Sequence, residues 1–453
     1  MRFRAAHTGA ASRLTVRPHG FPDPNAYYDP ATVALSFGHF KPATNSVGRH
    51  IPGQPVYTCL SHAVVVHETA HALLDGMRPS YQLSTSVDSM AFLQGFADVV
   101  ALLQQLTFQD ALLDTIQRTA GRLYSVSLQP ELESVAGAGG AEDRNPLISL
   151  GQQFGQALGI GDALRSAVGT PPPQDAVPET RPHDRGALMM HAVFDAFFHV
   201  YWRRTRGLFR LSASASSHAG DLHPDLARRV AADAAQLAVT FIQLCIRAVA
   251  YCPAVDVALG DYLRAMMTVH ARLDPDDRDG LRDALIDAFA RRGIYPPDVD
   301  SMSESELVWK GPGRSLELSR KVMQSLRAAD AAGRHDAAAE KGLEAFCEEH
   351  REALGFVSGV PLQISPFHQA IRFVGPELDV AEELVCQVTQ TVARKAGRSR
   401  KGRLEKLVGG TTLVFCDDRR TGRLRYAITK RIDERRQKSQ LAWRNETGAL
   451  DNG

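Results

Sequence analysis

The stretch Ser61-His62-Ala63-Val64-Val65-Val66-His67-Glu68-Thr69-Ala70-His71-Ala72-Leu73-Leu74-Asp75-Gly76 decides the reading of this chain. From Ser61 to Leu74 it holds no Gly or Pro, and Gly76 and Pro79 then supply a stop, which predicts one apolar helix. Residues i and i+4 share a helix face, so His67 and His71 aim two imidazoles at one point. Glu68 follows the first of them, within reach of a water held there. Two histidines one turn apart with a glutamate beside the first have the spacing of two zinc ligands and a general base. The competing reading is a pair of core histidines with hydrogen-bond partners. An apolar helix has little structural use for two histidines and a glutamate side by side.

A catalytic zinc takes three protein ligands and leaves one position open. The third is expected from a second helix, Asp88 to Leu106, which contains Phe92-Leu93-Gln94-Gly95-Phe96-Ala97-Asp98-Val99-Val100. Gln94 and Asp98 are four apart, share a face, and stand out in an otherwise apolar element. These two polar residues are the ones on that helix that draw attention as partners of the histidine pair.

His67-Glu68-Thr69-Ala70-His71 with Asp75 four residues on, followed by Gln94-Gly95-Phe96-Ala97-Asp98, resembles the thermolysin-like zinc metallopeptidases, the gluzincins. The resemblance implies that His67 and His71 bind one Zn2+ and that Glu68 is the base in peptide-bond hydrolysis. It implies that Asp98 orients a ligand histidine from behind and that Asp75 belongs to the same pattern. Pro24-Asn25-Ala26-Tyr27-Tyr28-Asp29 resembles the family's substrate-binding edge, where Asn25 and Ala26 would hold a peptide backbone. Tyr81 and a later histidine, His183 or His191, would stabilise the oxyanion, with Arg185 as a helper of His183. Tyr251 to Ala265 resembles segments of uncharacterised bacterial gluzincin-like proteins, so the likeness runs from about residue 24 to about 296. The departure is at the third ligand, where the family has Glu and this chain has Gln94, with Asp98 or Asp88 as substitute ligands. The alternative it opens is a catalytically impaired pseudo-peptidase that binds a peptide or partner.

The rest of the chain sets the frame. Its 453 residues exceed one small domain. A net charge of +1 excludes a globally basic, nucleic-acid-like balance. The six cysteines form no C-x-x-C pair, so reduced thiols are expected rather than a disulfide framework or a Cys-held zinc. No apolar h-region follows Met1-Arg2-Phe3-Arg4, and no apolar run approaches the ~20 residues of a membrane span. Cytoplasmic residence with no membrane is the expectation.

The expected fold class is mainly α with smaller β parts, α+β, in three regions. Residues 1–55 form a β-containing substrate-edge segment, with Val33, Leu35 and Phe37 alternating as in a strand. Residues 56–310 form the helical, gluzincin-like region, broken by Gly137-Ala138-Gly139-Gly140 and by the Pro-rich stretch from Pro171 to Pro182. Residues 311–453 form an appended α+β domain, with strands at 385–392, 411–415 and 424–428 and a hairpin turn after Asp417-Asp418. Between Arg394 and Lys438 sixteen Lys or Arg face five Asp or Glu. That surface suits a polyanion or an acidic protein, or is simply solvated.

Overall fold

The computed structural model describes residues 3–4, 11–41, 53–118, 181–215, 222–332, 336–365, 367–374, 379–395, 404–418 and 421–447. The Gly-rich loop at 137–140, the Pro-rich segment up to residue 180 and the basic run at 398–403 lie outside them. The fold class is mixed α+β, as expected: helices dominate and two main sheets flank them.

The small N-terminal sheet contains β1 (Thr15–Phe21), β2 (Ala26–Asp29), β3 (Ala34–Phe40) and the short β4 (Val56–Tyr57). Its order is β1-β3-β2, with β1 parallel and β2 antiparallel to β3, so β2 is an edge. Leu35 and Phe37 of β3 pack on Val64 and Ala72 of the first long helix. That helix, α1 (His62–Met77), is followed by α2 (Val87–Gln105), α3 (Gln109–Arg118), α4 (Pro182–Ala215), α5 (Pro224–Val249), α6 (Leu259–Leu273) and α7 (Leu281–Arg291). Their apolar faces build the main core around Phe92, Phe96, Phe197, Phe241 and Tyr262. By length and composition α2 and α5 could each cross a bilayer. Polar residues interrupt both, so neither stands out in the sequence as one continuous apolar run. In the fold their apolar residues belong to this core.

Beyond residue 310 come β5 (Glu317–Leu318), α8 (Arg320–Ala332), α9 (Ala337–Glu349), β6 (Gln363–Ile364), β7 (His368–Val374), β8 (Asp379–Lys395), β9 (Leu404–Asp418), β10 (Thr421–Lys430) and α10 (Glu434–Thr447). The strands form an antiparallel sheet of order β5-β10-β9-β8, with β6 and β7 both on the far edge of β8.

This sheet does not stand apart, which corrects the expectation of an appended domain. Side chains alternate across a strand. Leu384, Cys386, Leu413 and Phe415 point to α8 and α9 and make a second core there. Val385, Val414, Tyr426 and Ile428 point the other way and complete the helical core. Polar residues on the same inner face grip α1. The Gln387 amide donates to the Met77 carbonyl at 2.8 Å. The wholly buried Arg78 donates to the Val249 carbonyl at 2.7 and 3.0 Å and to Thr412 Oγ1 at 3.1 Å. The sheet therefore sets the C-terminal end of the helix that carries both histidines.

Candidate metal centre

Helix α2 starts cleanly because Ser86 and Ser89 cap it reciprocally, satisfying donors that a helix start leaves open. From Ala91 to Leu103 every residue is buried except Gln94 and Asp98, which face α1. His67 Nδ1 donates to Asp98 Oδ1 at 2.9 Å. That bond fixes the tautomer and leaves the lone pair on Nε2. The Nε2 atoms of His67 and His71 lie 3.1 Å apart. The Gln94 side chain is also within hydrogen-bonding reach of His67. His67, His71, Gln94 and Asp98 are thus brought together.

The electrostatics follow from burial and these neighbours. Burial disfavours a charged His67, but the charge and hydrogen bond of Asp98 outweigh it, and its pKa is raised. His71 is pushed down to about 3 by burial, the charge of His67 and that of His183. Glu68 is pushed up to about 7 by burial, against the pull of His67.

The edge strand β2 lies over Glu68. The Asn25 carbonyl accepts from Gly38 N–H at 2.8 Å, toward β3. By the two-residue period, Ala26 and Tyr28 present their backbone groups outward. The Tyr28 N–H duly reaches the Glu68 carboxylate. The outer edge pairs with no strand among the described residues. Asn25 turns its Oδ1 onto Ala26 N–H at 2.9 Å, so side chain and edge donor are already in contact.

Asp75 is buried, and Tyr28 Oη donates to its Oδ2 at 2.8 Å, tying β2 to α1. Tyr28→Phe deprives this carboxylate of that donor and is expected to cost about 1–3 kcal/mol. A lowered urea midpoint at neutral pH reads the effect; an unchanged midpoint would remove this tie. Sequence reasoning missed Tyr28 in this role. The only available signal was its place one period from Ala26.

His183 sits exposed at the start of α4, and its charge acts on His71. A glycine pair puts it there. A Cβ on Gly95 would stand 2.6 Å from the Gly186 carbonyl oxygen, and one on Gly186 would stand 2.7 Å from that of Ala91. Only glycine lets α4 cross α2 so closely. Gly186→Val is expected to destabilise the fold by at least about 1–3 kcal/mol, read as a lower urea midpoint. Wild-type stability would contradict the crossing.

Four expectations change. Tyr81 is buried, its hydroxyl donates to the Pro253 carbonyl at 2.7 Å, and its ring edge packs on Phe92. It is a core tyrosine and is withdrawn as an oxyanion donor. His191 is buried further along α4. Arg185 contacts Asp88 instead of assisting His183. Asp88 also accepts from Leu259 N–H at 3.2 Å, so it is no substitute ligand.

A separate group, His270, Asp274 and Asp277, brings its ligand atoms within 4.8 Å of one another. The Arg282 guanidinium already lies among them, donating to the Asp274 carbonyl at 2.7 Å and lying 3.3 Å from His270 Nδ1. A cation is thus supplied by the chain itself. No protein-family model, no curated protein and no solved structure matches the chain.

Proposed function

We propose that the chain is a zinc-dependent metallopeptidase of the gluzincin type, holding one Zn2+ on His67, His71 and Gln94. The observation that carries this reading is the pair of Nε2 atoms 3.1 Å apart, with Asp98 behind His67 and Glu68 beneath the open edge of β2. The donor set fits a divalent ion: two imidazoles converge and an amide oxygen lies beside them. When bound, zinc supplies the Lewis acidity that makes water a nucleophile near neutral pH. Glu68 takes the proton of that water and returns it to the leaving amine. The Ala26 backbone orients a substrate strand across Glu68. His183, whose charge is felt at His71, donates to the oxygen on which charge develops.

One observation favours a second reading, an impaired pseudo-peptidase that binds a peptide or partner. Gln94 brings no negative charge, and zinc sites prefer Cys, His, Asp and Glu. Gln94→Glu is expected to tighten zinc binding by at least about tenfold, comparable to the effect of an outer partner. The functional test is cleavage of unfolded casein by the zinc-supplemented protein, with a chelator as control. Chelator-sensitive cleavage by the wild type supports the peptidase. Cleavage only after Gln94→Glu supports the pseudo-peptidase, and none from either protein overturns the enzyme reading.

A further inference from the structure

The segment Trp309–Ser315 separates two cavities of about 600 Å³ each. Neither is lined by any Asp or Glu. The one beside Cys416 gathers three arginines: Arg314 from the segment, and Arg423 and Arg425 from β10. Arg423 stands opposite Cys416 in the ladder, and Arg425, the extra residue of a bulge in β10, reaches the Cys416 sulfur, so the two exposed arginines lie on one face. Arg314 and Arg423 make no ion pair among the described residues, although Glu317 stands opposite Arg423 in the ladder. The side-chain neighbour of Arg425 is the Cys416 sulfur, at 3.8 Å.

The segment adds neutral donors. Gly311 lies close on β10, where a Cβ would stand 3.2 Å from the Arg425 carbonyl oxygen. The backbone N–H groups of Gly311, Gly313, Arg314 and Ser315 make no hydrogen bond to the protein among the described residues. Three guanidiniums and a short run of open amides around one cavity are the elements of a phosphate cradle.

We propose that this cavity binds a small ligand carrying a di- or triphosphate group. A single-stranded nucleic acid would want aromatic platforms beside the cations. Here Trp309 is covered by Arg264 at 3.7 Å and donates its Nε1 to the Tyr251 carbonyl at 2.9 Å, while Tyr426 is buried. The volume is that of a small-molecule site. The site does not depend on the metal centre or on peptidase activity.

Calorimetric titration of the full-length protein with tripolyphosphate tests this, with orthophosphate and a short oligothymidylate as comparisons. The expected result is saturable tripolyphosphate binding, at least about tenfold tighter than orthophosphate, because several charge-assisted bonds form at once. In Arg314→Gln/Arg425→Gln, affinity should fall at least about tenfold, while Arg228→Gln on α5 leaves it unchanged. Both substituted positions are exposed, so the fold should survive, and circular dichroism checks that it does. Absence of saturable binding, equal binding by the double variant, or tighter binding of the oligothymidylate would overturn the proposal.

Discussion

Glu68→Gln is expected to lower peptide hydrolysis by about 10²–10⁴-fold, the usual worth of a positioned general base, while zinc content stays unchanged. Glu68 is not among the ligands, so removing its charge leaves the two imidazoles and the amide in place. Its amide replacement keeps the shape and can still accept from the Tyr28 N–H that holds the carboxylate under β2. What it loses is the ability to take a proton from water and return it to the amine. A kcat/KM comparison on one peptide, with metal content measured on the same samples, reads the two effects separately. Hydrolysis by Glu68→Gln at the wild-type rate would refute the assigned role of this residue.

Glu383→Ala is expected to cost about 3–5 kcal/mol of folding stability, because it strips the partner from a buried cation. Glu383 is wholly buried on the inner face of β8. Its Oε2 accepts from Tyr251 Oη at 2.5 Å, and its Oε1 contacts Arg272, which is itself largely buried. Burial alone would lower the pKa of Arg272, but Tyr251 and Glu383 raise it above its ordinary value. Without the carboxylate the guanidinium stays charged with little water around it. The effect reaches the site, since the same strand carries Gln387, which holds the Met77 carbonyl. Urea denaturation of wild type and variant measures the loss. A midpoint shift worth less than about 1 kcal/mol would mean that water or another group compensates Arg272.

Local chemistry carried much of this in the sequence. The His67–His71 spacing gives a shared helix face without reference to the rest of the chain, as does the Gln94–Asp98 pair in an apolar helix. The hairpin between β9 and β10 follows from the turn residues beside Asp417-Asp418. The strands themselves run longer than their apolar centres suggest, because polar residues in β8 and β9 have partners across the sheet and on the helices.

What the sequence hid depends on distant partners. Tyr81 had a suitable position, but its fate is set by Pro253, 172 residues away. Tyr28 matters because β2 folds onto Asp75, 47 residues on. Gln387 and Thr412 look like ordinary strand polar residues until α1 is seen to end against them. The division near residue 310 marks a change in secondary structure, whereas the core crosses it through Val385, Val414, Tyr426 and Ile428. Alternation announces two buried faces but does not name what covers each.

The measurement that tests the account most directly is the zinc content of the purified full-length protein beside His67→Ala. About one zinc per chain in the wild type, lost in His67→Ala, is the predicted result, because a site missing one of its imidazole ligands cannot hold the ion. Wild-type protein that takes up no zinc even when it is supplied in excess, or His67→Ala that holds as much as the wild type, would contradict it.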